Sequence, residues 1–356
     1  MPFDFPNPPL TVGQVVSGPG GIQWAWDGTK WTVPTGATTA LTNTYTNVGR
    51  NLLHNGLFNI QQRGAGPWTT AVYTADRWQT SFVNDTDTLS LVALADSDRT
   101  QIGDEAAITA LQWACTGSAT ASSYSQFIQK IEGVRRLSGK TVTVSFWAKA
   151  TSGTPRLGIG WLQLFGSGGS PSATVSGNYG VTSALSATWQ RYNFTAAIPS
   201  AAGKTFGTTA NTDFTQFEFW LSDQGTYAGR SGGIGVQTGT VQLWGIQLEI
   251  GTAATPLEKL DPRYDMSNCQ RFYQTIGQFY VVAWLGDGNA YYATFTFPNM
   301  RAVPTLTSSL TPQGGTQPGG WPQATARSTD TLTVGYALTA AGIGGVAGTL
   351  TLSADL

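Results

Sequence analysis

The sequence contains one histidine, His54, so any Ser-His-Asp or Cys-His catalytic unit would have to use it. Neither HExxH nor GxxxxGK followed by Ser or Thr occurs, which leaves metalloprotease and P-loop chemistry without support. Cys115 and Cys269 lie far apart and form no CxxC pair, so a zinc site with His54 is not expected. We interpret His54 as a polar side chain that is hydrogen-bonded in a turn. The cysteine usage is typical of a protein made in a reducing cytoplasm, with a single disulfide bridge as the alternative.

Glycoside hydrolysis would need only two carboxylates, about 5–9 Å apart. Glu218 is the best candidate, because alternation along its strand puts it on the same face as Trp220. Glu249 lies on a different predicted strand. With 20 acidic residues in the chain, coincidental pairs are common, so we expect no enzyme and keep a polysaccharide depolymerase only as a third hypothesis.

A cluster of acidic residues raises the question of calcium, which binds six to eight oxygen ligands that loop carboxylates can provide in part. The cluster comprises Asp85, Asp87, Asp96, Asp98, Asp104 and Glu105. Solvated loop acids are the commoner explanation for such a cluster. No other metal and no organic cofactor is expected.

Three predicted strands carry Trp on their more polar face. Such a face suits sugar binding, because the apolar C–H face of a sugar stacks on indole while its hydroxyls need polar neighbours. The candidate glycan-binding residues are Trp147, Lys149, Trp189, Arg191, Glu218 and Trp220. The alternative is that these indoles are structural, buried under loops or between subunits.

The composition indicates what kind of framework holds these side chains. Of 356 residues, 11% are charged and 12% are aromatic, whereas an ordinary soluble domain carries about 25% charged residues. The polar surface must therefore consist mainly of uncharged residues, namely Thr, Ser, Gln, Asn and Gly. These residue types favour strands and turns over helices. The net charge of −1 argues against nucleic-acid binding, and the many large apolar groups argue against disorder. We expect neither a signal peptide nor a membrane span.

Hydrophobic alternation predicts an all-β chain in three parts. Residues 1–48 are expected to form an arm that ends in a linker (34–48), 49–262 an antiparallel β-sandwich, and 263–356 a smaller β-sandwich. Val142, Val144, Phe146 and Ala148 alternate with polar residues, and so do Phe217, Phe219 and Leu221. We also expect a helical turn near Gly133–Leu137, a short helix over Met266–Thr275 and a last strand that reaches Leu356.

The arm is predicted to hold a hairpin over residues 23–32 with an Asp27-Gly28 turn. Trp24, Trp26 and Trp31 give it more apolar area than so short a segment can bury. We therefore expect the arm to dock on a partner, with packing on the following domain as the alternative.

The last part of the chain offers a second candidate recognition surface. Trp284, Tyr292 and Trp321 fall near the turns 286–289 and 314–322. Tyr and Trp at loop tips are favoured anchors for a receptor, although core packing explains them equally well.

Several short segments of the sequence resemble parts of a β-sandwich domain of bacteriophage tail and fibre proteins. They occur in the same order as in that domain and are spread over residues 49–275. They are Asn51–Gly56, Gln62–Gly64, Tyr73–Trp78, Ser145–Ala150, Phe165–Ser172, Trp189–Tyr192, Val241–Pro256 and Cys269–Tyr273. The Asp27–Trp31 hairpin resembles, more weakly, a phage-fibre attachment arm. Residues 276–356 resemble fibre C-terminal β-domains only in pattern, apart from Phe297–Ala302.

This resemblance implies a virion surface protein, in a tail or a head fibre, that is assembled in the host cytoplasm as a homotrimer. It implies a jelly-roll similar to carbohydrate-binding modules and bacterial surface polysaccharide as the ligand, with other virion proteins bound through the arm. The main alternative is a structural adaptor, collar or decoration protein that holds another receptor-binding protein.

Overall fold

The computed structural model describes residues 11–17, 23–32, 49–285 and 290–356. The chain divides into two compact units, residues 1–50 with 255–258 and residues 51–254 with 259–356. The predicted linker (34–48) and the predicted turn at 286–289 lie outside the described residues. With 47% strand and 7% helix, the structure confirms the predicted all-β fold class. No helix among the described residues has the length and apolar character needed to cross a bilayer.

The smaller unit contains a three-stranded antiparallel sheet. Its strands are β1 (Val15–Ser17), β2 (Gln23–Trp26) and β3 (Trp31–Thr32), in the order β1-β2-β3. Asp27 Oδ1 closes the β2–β3 turn by accepting hydrogen bonds from the backbone N–H groups of Thr29 (2.8 Å) and Lys30 (2.9 Å). The hairpin is the one that the Asp-Gly turn predicts.

A jelly-roll sandwich of two five-stranded antiparallel sheets opens the larger unit. The strands are β4 (Trp78–Val83), β5 (Thr86–Ala93), β6 (Thr109–Thr116), β7 (Tyr124–Glu132), β8 (Thr141–Ser152), β9 (Gly158–Leu164), β10 (Val175–Val181), β11 (Gln190–Ala197), β12 (Phe214–Asp223) and β13 (Thr238–Ile250). We call β10-β9-β12-β7-β4 the front sheet and β11-β8-β13-β6-β5 the back sheet.

Aromatic side chains fill the space between the two sheets. Phe146 of the back sheet and Phe219 of the front sheet are both fully buried and meet edge to face, with ring centroids 4.8 Å apart. Trp78 and Phe127 stack at the same centroid distance of 4.8 Å. The alternation predicted for β8 and β12 is confirmed, because the apolar members of both strands lie in this core.

Short helices connect the strands. They are α1 (Asp96–Ile102), α2 (Ala228–Ser231) and α3 (Pro262–Gln270), with a 3-10 turn at Val134–Arg136. The turn confirms the expectation near Gly133–Leu137. The helix expected over Met266–Thr275 begins earlier, because the Asp261 side chain caps the Arg263 N–H (2.9 Å) and Pro262 suits a first helical turn. It also ends earlier, at Gln270, and the expected helical residues Tyr273–Thr275 belong to a strand.

The segment Asn51–Gly56 packs against an irregularity in the back sheet. Between Trp244 and Gln247, β13 shifts its register relative to β8. Asn51 donates to Ile246 O (3.1 Å) and accepts from the Leu248 N–H (3.0 Å). A Cβ at Gly56 would lie 2.2 Å from Ile246 O, so only glycine permits this close approach.

A second, smaller sandwich follows α3. Its strands are β14 (Tyr273–Leu285), β15 (Ala290–Thr296), β16 (Thr305–Gln313), β17 (Gln323–Ala326), β18 (Thr331–Ala337) and β19 (Gly342–Ser353), arranged as β14-β19-β16 and β15-β18-β17. The last strand ends at Ser353 rather than at Leu356 as expected. Beyond it, Asp355 pairs with Arg63 (2.5 Å), and Leu356 O accepts from Tyr73 Oη (2.7 Å).

Charged residues join the two sandwiches of the larger unit. Glu132, the last residue of β7, accepts from Arg271 Nη1 (2.8 Å) and from Arg301 Nε (3.0 Å). The Arg63 guanidinium lies over the Tyr273 ring, 3.5 Å from its centroid. The junction is therefore polar, unlike the apolar interiors on either side of it.

Candidate functional site

The front-sheet candidates Glu218 and Trp220 lie side by side on one face of β12, as alternation along the strand predicts, but both are fully buried. The Glu218 carboxylate accepts from Trp220 Nε1 (2.9 Å) and forms an ion pair with Arg230 of α2. The Tyr227 and Tyr124 rings pack against the Trp220 indole, with centroids 5.6 Å and 5.9 Å away. The segment that carries α2 thus covers this part of the sheet, which corrects the expectation that the pair is accessible to a sugar.

The two carboxylates considered for glycoside hydrolysis do not come together. Glu218 is on β12 of the front sheet, whereas Glu249 is on β13 of the back sheet. Glu249 accepts from the Gln247 side chain (2.8 Å), and Glu218 is neutralised by Arg230. These two residues cannot flank one glycosidic bond.

The segment Gly229–Gly233 has the GxSxG spacing of hydrolase nucleophiles. Its central Ser231 is fully buried and donates to Asp223 Oδ2 at 2.6 Å. A nucleophilic serine would donate to a histidine base, whereas this hydroxyl donates to an acid. Ser231 is therefore a structural residue that closes the α2 turn.

Trp189 and Lys149 are tied to helix α1 through Asp98. The Asp98 carboxylate accepts from Trp189 Nε1 (2.9 Å) and from Lys149 Nζ (2.6 Å). Although burial acts in the opposite direction, these hydrogen bonds lower the pKa of Asp98. Trp189 is only 3% exposed. Both residues therefore hold α1 on the back sheet, which corrects their expected role as free ligand contacts.

Trp147 and Arg191 remain on the solvent side of the back sheet. They are directly opposed on β8 and β11, with Trp147 half-buried and Arg191 exposed. Arg191 Nη2 donates to Ser145 Oγ at 3.1 Å, which holds the guanidinium along the sheet. On the other side of Trp147, β13 presents the buried Trp244. The result is a polar face with one indole partly open to solvent.

His54 is hydrogen-bonded through its backbone, whereas its side-chain Nδ1 is buried without a hydrogen-bond partner, so the expected side-chain hydrogen bond is wrong. Its N–H donates to Gln129 Oε1 (2.7 Å), and its carbonyl accepts from Gln129 Nε2 (2.9 Å). Burial, reinforced by the positive charges of Arg77, Arg136 and Arg271, lowers the pKa of His54 to about 3. Cys115 and Cys269 are both buried and free, so the alternative of a disulfide bridge is wrong.

The acidic residues that are close in sequence serve separate structural roles. Asp87 accepts from Trp113 Nε1 (3.0 Å), and burial raises its pKa to about 6. Asp85 accepts from the Ser118 N–H (2.7 Å), and Asp104 pairs with Lys259 (2.8 Å). Within the described ranges, no group of three or more His, Cys, Asp or Glu side chains could hold a metal ion. The calcium site that the sequence left open thus has no ligand set there.

The three candidate receptor-contact residues do not form one surface. Trp284 is on β14 and Tyr292 on β15, strands of different sheets, and they are 70% and 52% exposed. Only Trp321 lies in a loop, where its ring packs on Tyr292 with centroids 5.6 Å apart. The expectation that all three occupy loop tips is corrected, because the first two belong to strands.

In the arm, Trp26 and Trp31 are register partners whose ring centroids are 5.7 Å apart. Trp24 is two residues from Trp26 on β2, so the three indoles share one face of the small sheet. All three are half-buried. Docking on a virion partner stays a prediction.

Helix α1 and the partnership of Glu218 with Arg230 were not anticipated from the sequence. The helix has recognisable signals, since Asp96 and Asp98 occupy its first turn and Gly103 ends it in the left-handed conformation (φ +74°). Arg230 carries no comparable signal, because it lies in a Gly-rich loop that reads as an ordinary turn.

Comparison of the sequence with protein-family models finds no match, and comparison with curated proteins finds none either. Among solved structures, similarity is found to a tailspike domain of bacteriophage CBA120 (13% identity, TM-score 0.31), with 57% of this chain and 22% of the tailspike chain covered. A CBM22 xylan-binding domain from Paenibacillus barcinonensis is similar at 13% identity and TM-score 0.30, over 49% of this chain and 92% of that one. A family 11 carbohydrate-binding module from Clostridium thermocellum, in complex with a mixed-linked tetrasaccharide, gives 12% identity and TM-score 0.27, over 49% and 89%. Similarity at this level assigns neither a ligand nor an activity to this chain.

Proposed function

We propose that this chain is a non-enzymatic fibre or spike component of a phage virion that adheres to the bacterial surface by binding polysaccharide. The observation that carries the proposal is the back-sheet face, where the half-buried Trp147 lies opposite the exposed Arg191. An indole and a guanidinium at this spacing suit a sugar, since the ring stacks on C–H groups and the cation donates to hydroxyls. The phrases that resemble phage fibre proteins support the virion assignment.

Weak binding at each site would suffice if the chain assembles as the expected homotrimer. Three linked sites raise the overall avidity by about 10²–10⁴ without any new contact, provided that they reach the same surface together. The buried ion pair of Glu218 supports the non-enzymatic part of the proposal, because a carboxylate held by Arg230 is not available as a general acid.

Replacing Trp147 by Ala is expected to weaken retention of the full-length protein on host polysaccharide about tenfold, or about 1.4 kcal/mol. The Trp147→Phe variant keeps an aromatic face and should retain part of the affinity. Binding to immobilised polysaccharide, together with a urea unfolding curve for each variant, measures both effects. The free energy of unfolding should fall by only about 1 kcal/mol, since the side chain is half-buried.

Tyr291→Ala is the matched control, because it removes a large aromatic side chain, 40% exposed, from the other sandwich, where the residue has no assigned role in binding. Unchanged retention in Trp147→Ala, or an equal loss in both variants, would contradict binding through the back sheet.

One observation favours a second candidate function, the adaptor that holds another virion protein. Tyr280, Val282 and Trp284 alternate along β14 and are 66%, 41% and 70% exposed. Ile343, the register partner of Trp284, is 63% exposed. An exposed apolar stripe of this kind is typical of a protein contact. If the full-length chain ignores host cells but captures a neighbouring virion protein, and Trp284→Ala abolishes the capture, the adaptor function replaces adhesion.

A further inference from the structure

A pocket of about 180 Å³ lies where the first sandwich meets α3 and the segment after it. Its floor includes His54 and Arg77, and its rim includes Arg136, Asn268 and Arg271. It is smaller than the roughly 300–1,000 Å³ of sites for drug-sized ligands, so it suits a small group rather than a sugar chain. It is separate from the back-sheet face.

Arg77 is an unusual residue to find at the bottom of this pocket. It is 2% exposed, and its backbone has φ +73°, a left-handed conformation that strains a non-glycine residue. The flat guanidinium lies on the Phe272 ring, 3.2 Å from its centroid, and Nη2 donates to Lys130 O. Nε and Nη1 are buried and have no hydrogen-bond partner.

Buried N–H groups of a cation are strongly favoured to have an acceptor. The fixed fork of a guanidinium matches the oxygens of an oxyanion, and its stacking on Phe272 leaves the edges of that fork for a ligand. Arg77 thus lines the pocket and carries two donor atoms that no protein acceptor satisfies.

The charge around the pocket is unbalanced. Arg77, Lys130, Arg136 and Arg271 line it, and Glu132 is the one carboxylate among its lining residues, while Lys130 Nζ donates to Leu356 O. Glu132 is already shared by Arg271 and Arg301, and the nearby Asp355 pairs with Arg63. Among the described residues, no carboxylate lies within ion-pair distance of Arg77 or Arg136. The excess positive charge attracts an anion.

We propose that this pocket binds one small oxyanion of the phosphate type, with the buried Arg77 as its main donor and Arg136 at the mouth. His54, which is neutral, adds no repulsion to the cationic cluster. The phosphate group has two sources, free inorganic phosphate and a phosphate substituent of a bacterial surface polymer. The site is independent of the proposed sugar face and does not require it.

Titration calorimetry of the full-length protein with inorganic phosphate, against sodium chloride at equal ionic strength, tests the site. We expect one equivalent to bind, and Tm to rise by about 2–4 °C at ten times Kd. Arg136→Gln should weaken phosphate binding about tenfold, because it removes a charge-assisted hydrogen bond at the mouth. Arg77→Lys, which keeps the charge but loses the fork, should weaken it by more than tenfold.

Arg135→Gln is the matched control, since it removes the same charge from the neighbouring residue, whose guanidinium instead lies over the Phe206 ring at 3.6 Å. It should change Kd less than twofold. An equal loss in Arg135→Gln and Arg136→Gln would reduce the effect to general surface charge and overturn the proposal. Absence of a phosphate effect beyond that of chloride would overturn it as well.

A competition experiment distinguishes the two sources. If inorganic phosphate displaces a phosphorylated surface polymer, and Arg136→Gln abolishes that displacement, the site takes the polymer's phosphate. If phosphate binds while the polymer does not compete, the site takes the free ion. The Trp147→Ala variant should bind phosphate normally in either case, so failure of the sugar face and failure of the oxyanion site remain distinguishable.

Discussion

Replacing Arg230 by Met is expected to lower the free energy of unfolding by about 3–5 kcal/mol. The Glu218 carboxylate is fully buried beneath the α2 segment, and Arg230 is its only cationic partner among the described residues. Without Arg230, Glu218 must stay ionised in a site that disfavours charge or take up a proton. Either outcome costs stability, and urea unfolding at pH 7 measures the loss.

A double-mutant cycle provides the control for this prediction. Glu218→Gln alone should cost less than Arg230→Met, because the Arg230 side chain is 17% exposed and reaches water. The double variant should recover most of the loss, giving a coupling energy above about 2 kcal/mol. Additive effects would show that the pair contributes little. If Glu218→Gln instead abolished the release of reducing ends from host polysaccharide, the depolymerase hypothesis would return.

The protein is expected to lose about 2 kcal/mol of stability between pH 7 and pH 4.5 through His54 alone. The folded-state pKa of His54 is about 3, below its ordinary value of 6.5. As the pH falls through 6.5, the unfolded chain therefore binds a proton that the folded chain does not. The stability that the neutral imidazole confers is complete above pH 6.5 and is lost progressively towards pH 3.

Comparison with His54→Gln isolates this effect. Asp87 acts in the opposite sense, since burial raises its pKa to about 6 and its contribution is lost as the pH rises, but both proteins share it. Unfolding curves in buffers free of phosphate and carboxylate should therefore converge at low pH. A pH profile that is parallel in the two proteins would contradict a depressed pKa for His54.

The alternation of apolar and polar residues along the strands was the most informative signal in the sequence. Val144 and Phe146 point into the core as their alternation predicts, and Trp147 points away from it. This alternation assigns a side chain to one face of its sheet, but it does not show which other segment of the chain covers that face. Trp147 and Trp220 both lie among polar residues on the outer face of a strand. Trp147 is half-buried, whereas Trp220 lies under Tyr227. That difference depends on the path of a Gly-rich loop, which periodicity does not specify.

The pocket where the first sandwich meets α3 could not be predicted from the sequence either. Arg77 and Phe272 are 195 positions apart, and each lies in a sequence segment that is typical of a structural rather than a binding role. Only the close packing of the first sandwich on α3 and the following segment brings them into contact. Local propensity describes neighbours in the chain, whereas this site depends on neighbours in space.

The docking of Asn51–Gly56 on β13 also bears on the order in which the molecule folds. During synthesis, Asn51 leaves the ribosome long before its partners Ile246 and Leu248 exist. At about 5–20 residues per second, the wait is of the order of ten to forty seconds. The jelly-roll therefore cannot close while it is being made, and its apolar strands stay open to neighbouring nascent chains. If the chain forms the homotrimer that the resemblance implies, subunits can meet during that interval, before each of them is finished.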